Sequence, residues 1–174
     1  HTDEKGLNTA DMETFMRDPM SSLAREICQN SIDAKRDNCI NAIVEFEMFS
    51  VGQNQIPGYE RLTEEIESCY NYRQNPDDKN ALKKMLDAIN KDSIHCLRIS
   101  DKNTTGLRET FKDNESSSFY LLTHGSGLTS KSGEQGGSKG VGKFACFVAS
   151  AFNTVFYSSF NDAGEQGFLG ISNL

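Results

Sequence analysis

Glu26, Asn30 and Asp33 stand at i, i+4 and i+7 in the run Arg25-Glu-Ile-Cys-Gln-Asn-Ser-Ile-Asp-Ala34. At about 100° per residue they fall within roughly 60° of one another on a helix. Leu23, Ile27 and Ala34 take the adjoining side, so the polar trio sits where a core-facing stripe turns into a charged face. Such a row can line a pocket. Glu26 offers a base, Asn30 a neutral oxygen ligand for a hard cation, and Asp33 a buried acceptor.

A second chemical stretch lies far along the chain. Seven of the 14 glycines fall between positions 125 and 142, with serine and lysine among them, and the stretch runs straight into the apolar residues from Lys143 to Phe152. Glycine-rich loops feeding a helix bind phosphate because backbone N–H groups can approach the oxygens and the helix start adds partial positive charge. Gly137-Ser-Lys-Gly-Val-Gly-Lys143 fits GxxxxGK, the start of a P-loop. Yet Phe144 stands where a P-loop needs Ser or Thr, and polar residues precede the loop instead of an apolar strand. A surface loop without a ligand is a second reading. A third, GxxGxG, points to a different nucleotide fold.

The elements that must position these groups follow from pattern. Asp18-Pro19 with Ser21 and Ser22 marks a helix start, and the helix is expected to run to about Arg36. Residues 40–49 alternate, with Ala42, Val44, Phe46 and Met48 on one side and Glu45 and Glu47 on the other, which predicts a half-buried strand. Residues 51–93 read as a polar surface insertion with helices over 59–70 and 77–90. A strand is expected over 94–100, ending at Asp101. A buried helix over 143–152 and a hairpin of strands at 154–160 and 166–172 complete the set. Residues 1–12 read as a loose arm. Few helices lie between strands, so the expected fold class is α/β in the α+β sense. It is a two-layer sandwich of a mixed, mostly antiparallel sheet with helices on one face.

Composition narrows the classes. At 174 residues, with 36% apolar and 25% charged residues, the chain suits one globular domain, 1–174, here read as the N-terminal part of a longer protein. A net charge of −7 leaves no general basic surface for nucleic acid. No apolar run nears the roughly 20 residues that span a bilayer, so no membrane partner is expected. Five scattered cysteines without a CxxC pair fit a reducing, cytoplasmic setting.

Three motifs stand in order: Glu26-xxx-Asn30-xx-Asp33-Ala34, Asp101-Lys-Asn-Thr-Thr-Gly106, and Gly137-xx-Gly140-x-Gly142. Together, over roughly residues 15–160, they resemble the GHKL ATPase superfamily of gyrase B-type, heat-shock-chaperone-type, mismatch-repair and histidine-kinase ATP-binding domains, with their Bergerat fold. The resemblance implies ATP and Mg²⁺ as ligands. It implies Glu26 as the general base that orients water, Asn30 as the Mg²⁺ ligand, and Asp33-Ala34 as the pocket wall supporting the adenine-side hydrogen bonds. Asp101 would accept from the adenine amino group, with Thr105 and Gly106 as neighbouring contacts. Gly137, Ser138, Lys139, Gly140, Val141 and Gly142 would end a lid over the phosphates, with Lys143 reaching the β/γ-phosphates or standing solvated.

The Asp33-Ala34 ending resembles the clamp-type branch more than the histidine kinases. The resemblance therefore implies hydrolysis in an ATP-dependent homodimer, whose client is unknown, with the N-terminal arm pairing protomers. A histidine-kinase-like protein kinase and a non-hydrolysing ATP sensor are the alternatives. The glycine-loop wording looks like that of large bacterial ATPases. Two departures stand out. The family's Asp-x-Gly-x-Gly has Asn103 for its first glycine, a residue that tolerates positive φ, and its last glycine comes one residue late. The late-strand threonine has no secure match. A lysine from a following domain would also be missing, so slow hydrolysis by this chain alone is expected. His124 and His95 read as plain exposed or packed histidines, and Phe144, Phe147 and Phe152 as core aromatics.

Overall fold

A computed structural model describes residues 10–13, 15–108, 117–124 and 142–174. The chain is α+β. Its elements, in order, are α1 (Ala10–Glu13), α2 (Pro19–Asp33), β1 (Ile43–Gly52), a 3₁₀ turn (Gln53–Gln55), α3 (Tyr59–Tyr72), α4 (Pro76–Ile89), β2 (Ser93–Lys102), α5 (Ser118–His124), α6 (Phe144–Val148), β3 (Thr154–Phe160) and β4 (Gln166–Ser172). Helix α2 begins as its sequence signals: Pro19 opens the first turn and the Asp18 carboxylate accepts from Ser21 N–H at 3.2 Å. The Ser21 hydroxyl first, and its N–H second, hold the exposed Asp18 carboxyl below its ordinary pKa. Helix α4 starts the same way, with Asn75 accepting from Asp77 N–H at 2.8 Å ahead of Pro76.

Strands pair as two separate antiparallel ladders, β1 with β2 and β3 with β4, rather than as the single mixed sheet expected. Among the described residues no parallel pairing occurs. Helices also occupy both faces of the β1–β2 pair, where one face was expected. Ile94 and Cys96 enter a cluster with Ile66 of α3 and Leu82, Met85 and Ile89 of α4. Leu97 and Ile99 instead join Phe15, Leu23 and Ala145, between α2 and α6. Successive side chains of a strand point to opposite faces, so even- and odd-numbered residues of β2 serve different cores. The α3–α4 hairpin thus supplies the larger core: Ile66, Leu82 and Ile89 are wholly buried.

The distal part of the even-numbered β2 face is charged, as Glu45 and Glu47 foretold. Arg98 pairs with Glu47 directly across the ladder, and Lys102 with Glu45 at 2.7 Å. The helix expected over 143–152 ends at Val148. There Ser150 N–H bonds back to Phe147 O and Asn153 N–H to Ser150 O, both in short turns, while Ser150 Oγ accepts from Thr154 N–H at 3.1 Å. A serine that bonds nearby backbone competes with the helix ladder. Helices α1 and α5 lack sequence signals of their own.

Two glycines of positive φ separate two costs. Gly58, at φ +70°, has open space where a Cβ would be; Gly106, at φ +69°, would place one 2.7 Å from Phe160 O and 3.0 Å from Asn161 Cα. Gly58→Ala should therefore cost only the conformational penalty, about 1–2 kcal/mol. Gly106→Ala should cost that plus overpacking, about 1–3 kcal/mol more. Urea midpoints of the two variants check the order.

Candidate functional site

The C-terminal end of α2 is sewn to the loop that follows β2. Thr105 N–H donates to Ala34 O at 2.9 Å, and Arg36 N–H to Asn103 O at 2.9 Å. Lys35 and Thr104 form a β-bridge, and Arg36 Nε donates to Thr104 O at 2.7 Å. The Thr105 bond answers an unpaired carbonyl at the helix end, and the set fixes the loop in one register. The loop turns through Asn103 at φ +64°, so asparagine does adopt there the conformation that a glycine would. Asn103 Nδ2 is held on Asn41 O at 3.0 Å.

The same loop rests on the β3–β4 turn. Leu107 N–H donates to Ser159 Oγ at 2.9 Å. Asn161, only 2% exposed, donates to Leu107 O at 3.0 Å and to Glu165 Oε2 at 2.6 Å, and accepts from the N–H groups of Ala163 and Glu165. Arg36 forms an ion pair with Asp162. Three elements distant in sequence therefore share one junction.

That junction brings Asp101 beside α2. Ser31, buried on the helix, donates to Asp101 Oδ2 at 3.3 Å. Glu26 lies one and a half turns back on the same helix, half-buried, against Gly142 at the entrance of α6. Asn30 is exposed between them. Asp33, expected to be a buried acceptor, is exposed and takes a 2.8 Å bond from Gln29 Nε2. The physical reason is rotational. Leu23, Ile27, Ala34 and Ser31 define the inward stripe, and Asp33 lies about 80–160° round the helix from them. Ala34 and Thr105 meet through their backbone hydrogen bond. Gly106 packs on Phe160 and Asn161.

Ser31 and Asn161 escaped the sequence reading. Ser31 had a signal: a small polar residue placed inside the apolar stripe. Asn161 had none, because its four side-chain bonds, to Ala163 and Glu165 of the hairpin turn and to Leu107 of the loop after β2, exist only once the two are brought together. Gly137, Ser138, Lys139, Gly140 and Val141 lie outside the described residues. Gly142 and Lys143 are described: Gly142 is buried, and the Lys143 ammonium sits 5.6 Å from the Phe144 ring centre, its pKa lowered by burial.

Behind Glu26 the interior is apolar with two titratable groups. Burial pushes the Cys146 thiol up to about 11, and the Glu26 charge adds to the rise. Tyr157 is raised by burial and by Cys146, and its hydroxyl has no hydrogen-bond partner among the described residues. Two open concavities lie elsewhere, on β3–β4: one bordered by Ser158, Phe160, Gln166 and Phe168, the other by Arg108, Asp162 and Glu165. Neither includes Glu26 or Asp101; the site is defined by the convergence of side chains. All five cysteines are unpaired, and among the described residues no helix is long and apolar enough to cross a membrane. No protein-family model matches the chain, and searches of curated proteins and of solved structures returned no match.

The raised thiol has a pH consequence. Below the ordinary thiol value of 9.0 both folded and unfolded chains hold the proton, so the contribution is complete there. Between 9.0 and about 11 the unfolded chain releases it first, and folding stability falls. Tyr157 acts in the same direction. Urea unfolding across that interval should show a shallower decline in Cys146→Ala than in the parent protein.

Proposed function

We propose that this chain is an ATP-binding domain of the GHKL type, built on a Bergerat fold, that hydrolyses ATP with Mg²⁺. One observation carries the reading: Asp101 and the Glu26–Asn30 helix, separate motifs in the sequence, meet at a hydrogen-bonded junction through Ser31. In this reading Asp101 takes the adenine amino group. Its second oxygen stays available because the Ser31 bond engages only Oδ2. Thr105 and Gly106 flank the base, and Ala34 closes the helix side.

Asn30 presents an exposed amide that fits a magnesium ion carried in on the phosphates. Mg²⁺ commonly takes one or two protein ligands and completes its shell with phosphate and water, so a dedicated carboxylate cage is not required. The ion would neutralise phosphate charge. Glu26 would orient water against the γ-phosphoryl group, which is positioning chemistry rather than covalent chemistry. Gly137, Ser138, Lys139, Gly140 and Val141 would wrap the phosphates, an assignment that rests on the sequence. The Lys143 ammonium, close to this entrance, would add a cation.

The clamp reading extends this: ATP would close the phosphate strap and pair two copies of the chain in a cytoplasmic protein. Unpaired cysteines support that setting.

Isothermal titration with a non-hydrolysable ATP analogue should show Mg²⁺-dependent binding; no heat with or without Mg²⁺ would overturn the reading. Glu26→Ala should keep nucleotide affinity and lower turnover by about 10²–10⁴-fold. Asp101→Asn turns an acceptor into a donor toward the purine and should remove detectable binding. Unchanged turnover in Glu26→Ala would reassign the base.

A further inference from the structure

Gly142 lies against the end of the Glu26 side chain. A Cβ at position 142 would stand 2.0 Å from Glu26 Oε2, 2.8 Å from Cδ and 3.4 Å from Cγ. The carboxylate thus occupies the space that any side chain at 142 would fill. The backbone at Gly142 is not in the left-handed region, in contrast to Gly58, Gly106 and Gly164. Conformational freedom is therefore no reason for glycine here; the close approach of Glu26 is.

Gly142 is tied on its C-terminal side. Its carbonyl accepts from Ala145 N–H at 3.1 Å, and Ala145 is wholly buried in the cluster with Phe15 and Leu23. Behind it, Cys146 is buried closely enough to sense the Glu26 charge. The movable partner of this contact is the carboxylate, at the end of a side chain with three rotatable bonds.

We propose that Gly142 is a positioning residue for Glu26: by lacking a side chain it lets the start of α6 set where the carboxylate lies. This rests on the reading of Glu26 as the base. It adds to a glycine assigned only to the phosphate strap a second duty, toward the attacking water. A base works only within about 2.6–3.2 Å of its proton, and a misplacement of about 1 Å can cost on the order of 10²-fold in rate. A Cβ at 142 forces a displacement of that size, because a 2.0 Å approach must open to ordinary contact.

The test is a double-mutant cycle in the whole chain with Gly142→Ala and Glu26→Asp. Gly142→Ala should lower turnover by about 10²-fold. The urea midpoint should stay near the parental value, since the clashing atom is the end of a flexible side chain. Glu26→Asp withdraws the carboxylate by one methylene, so its further cost in the Gly142→Ala background should be smaller than in the parent. Additive losses, or parental turnover in Gly142→Ala, overturn the proposal. Should Gly142→Ala depress the midpoint, adding Glu26→Ala restores it if the clash is with Glu26; a midpoint that stays low overturns the proposal. An activity-free arm follows the Glu26 carboxyl carbon by NMR, assigned through its loss in Glu26→Gln. The signal should shift in nucleotide-free Gly142→Ala, and an unmoved signal overturns the contact. A shifted signal in a protein that gives no heat with the ATP analogue supports the contact and rejects the ATP-binding reading instead.

Discussion

The seam between the end of α2 and the loop after β2 is the constraint on which the rest of the structure depends. A helix leaves its last carbonyls unpaired, and here Ala34 O finds Thr105 N–H while Asn103 O takes Arg36 N–H. These are main-chain bonds at both ends, so they specify a register, not merely a proximity. A slip of one residue in the loop would turn Asp101 to the opposite face of β2. Asn103 at positive φ and Gly106 pressed on Phe160 are the local costs of holding that register.

Around the seam the packing divides in two. Ile94 and Cys96 of β2 go into the α3–α4 core, and Leu97 and Ile99 into the cluster under α2 and α6. Asp101 follows the odd-numbered residues and so emerges at the α2 side, within reach of buried Ser31. The catalytic reading depends on this parity. It also depends on α6 being anchored by Ala145, because that anchor brings the backbone of Gly142 onto Glu26. The polar junction and the apolar clusters do different work. The clusters set distances between elements, and the hydrogen bonds choose which residues face each other.

Much of the local architecture could be read from the residues. The Asp18-Pro19 start of α2, the strand β1, the helical pair bounded by Asn75-Pro76 and the hairpin around residues 162–164 all correspond to elements of the structure, although the half-burial expected of β1 does not hold, since Phe46 and Met48 are exposed. Each is a short-range pattern whose cause lies within a few residues. The misreadings have non-local causes. The helix after Lys143 looked apolar enough to continue, yet Ser150 and Asn153 spend their hydrogen bonds on turns that lead into β3. The polar surface of α3 and α4 hid how much core they supply, because two narrow stripes become a core only when they face each other. Asp33 shared a helical border with Glu26 and Asn30, and only the true direction of the inward stripe, marked by Ser31, shows that it faces solvent.

What the chain's own order of residues determined was the chemistry available: a carboxylate, an amide and a second carboxylate at helical spacing, an acid at a strand end, and glycines before an apolar helix. These are properties of side-chain type and period, and they survive without knowledge of neighbours. Tertiary structure alone decided which of them meet. It split the strands into two ladders and put helices on both faces of the first. It tied Asp101 to α2 through a serine, and laid a glycine against Glu26. Such decisions rest on contacts between residues tens of positions apart. Their energies arise from burial and from pairing of buried polar groups, which no local window contains.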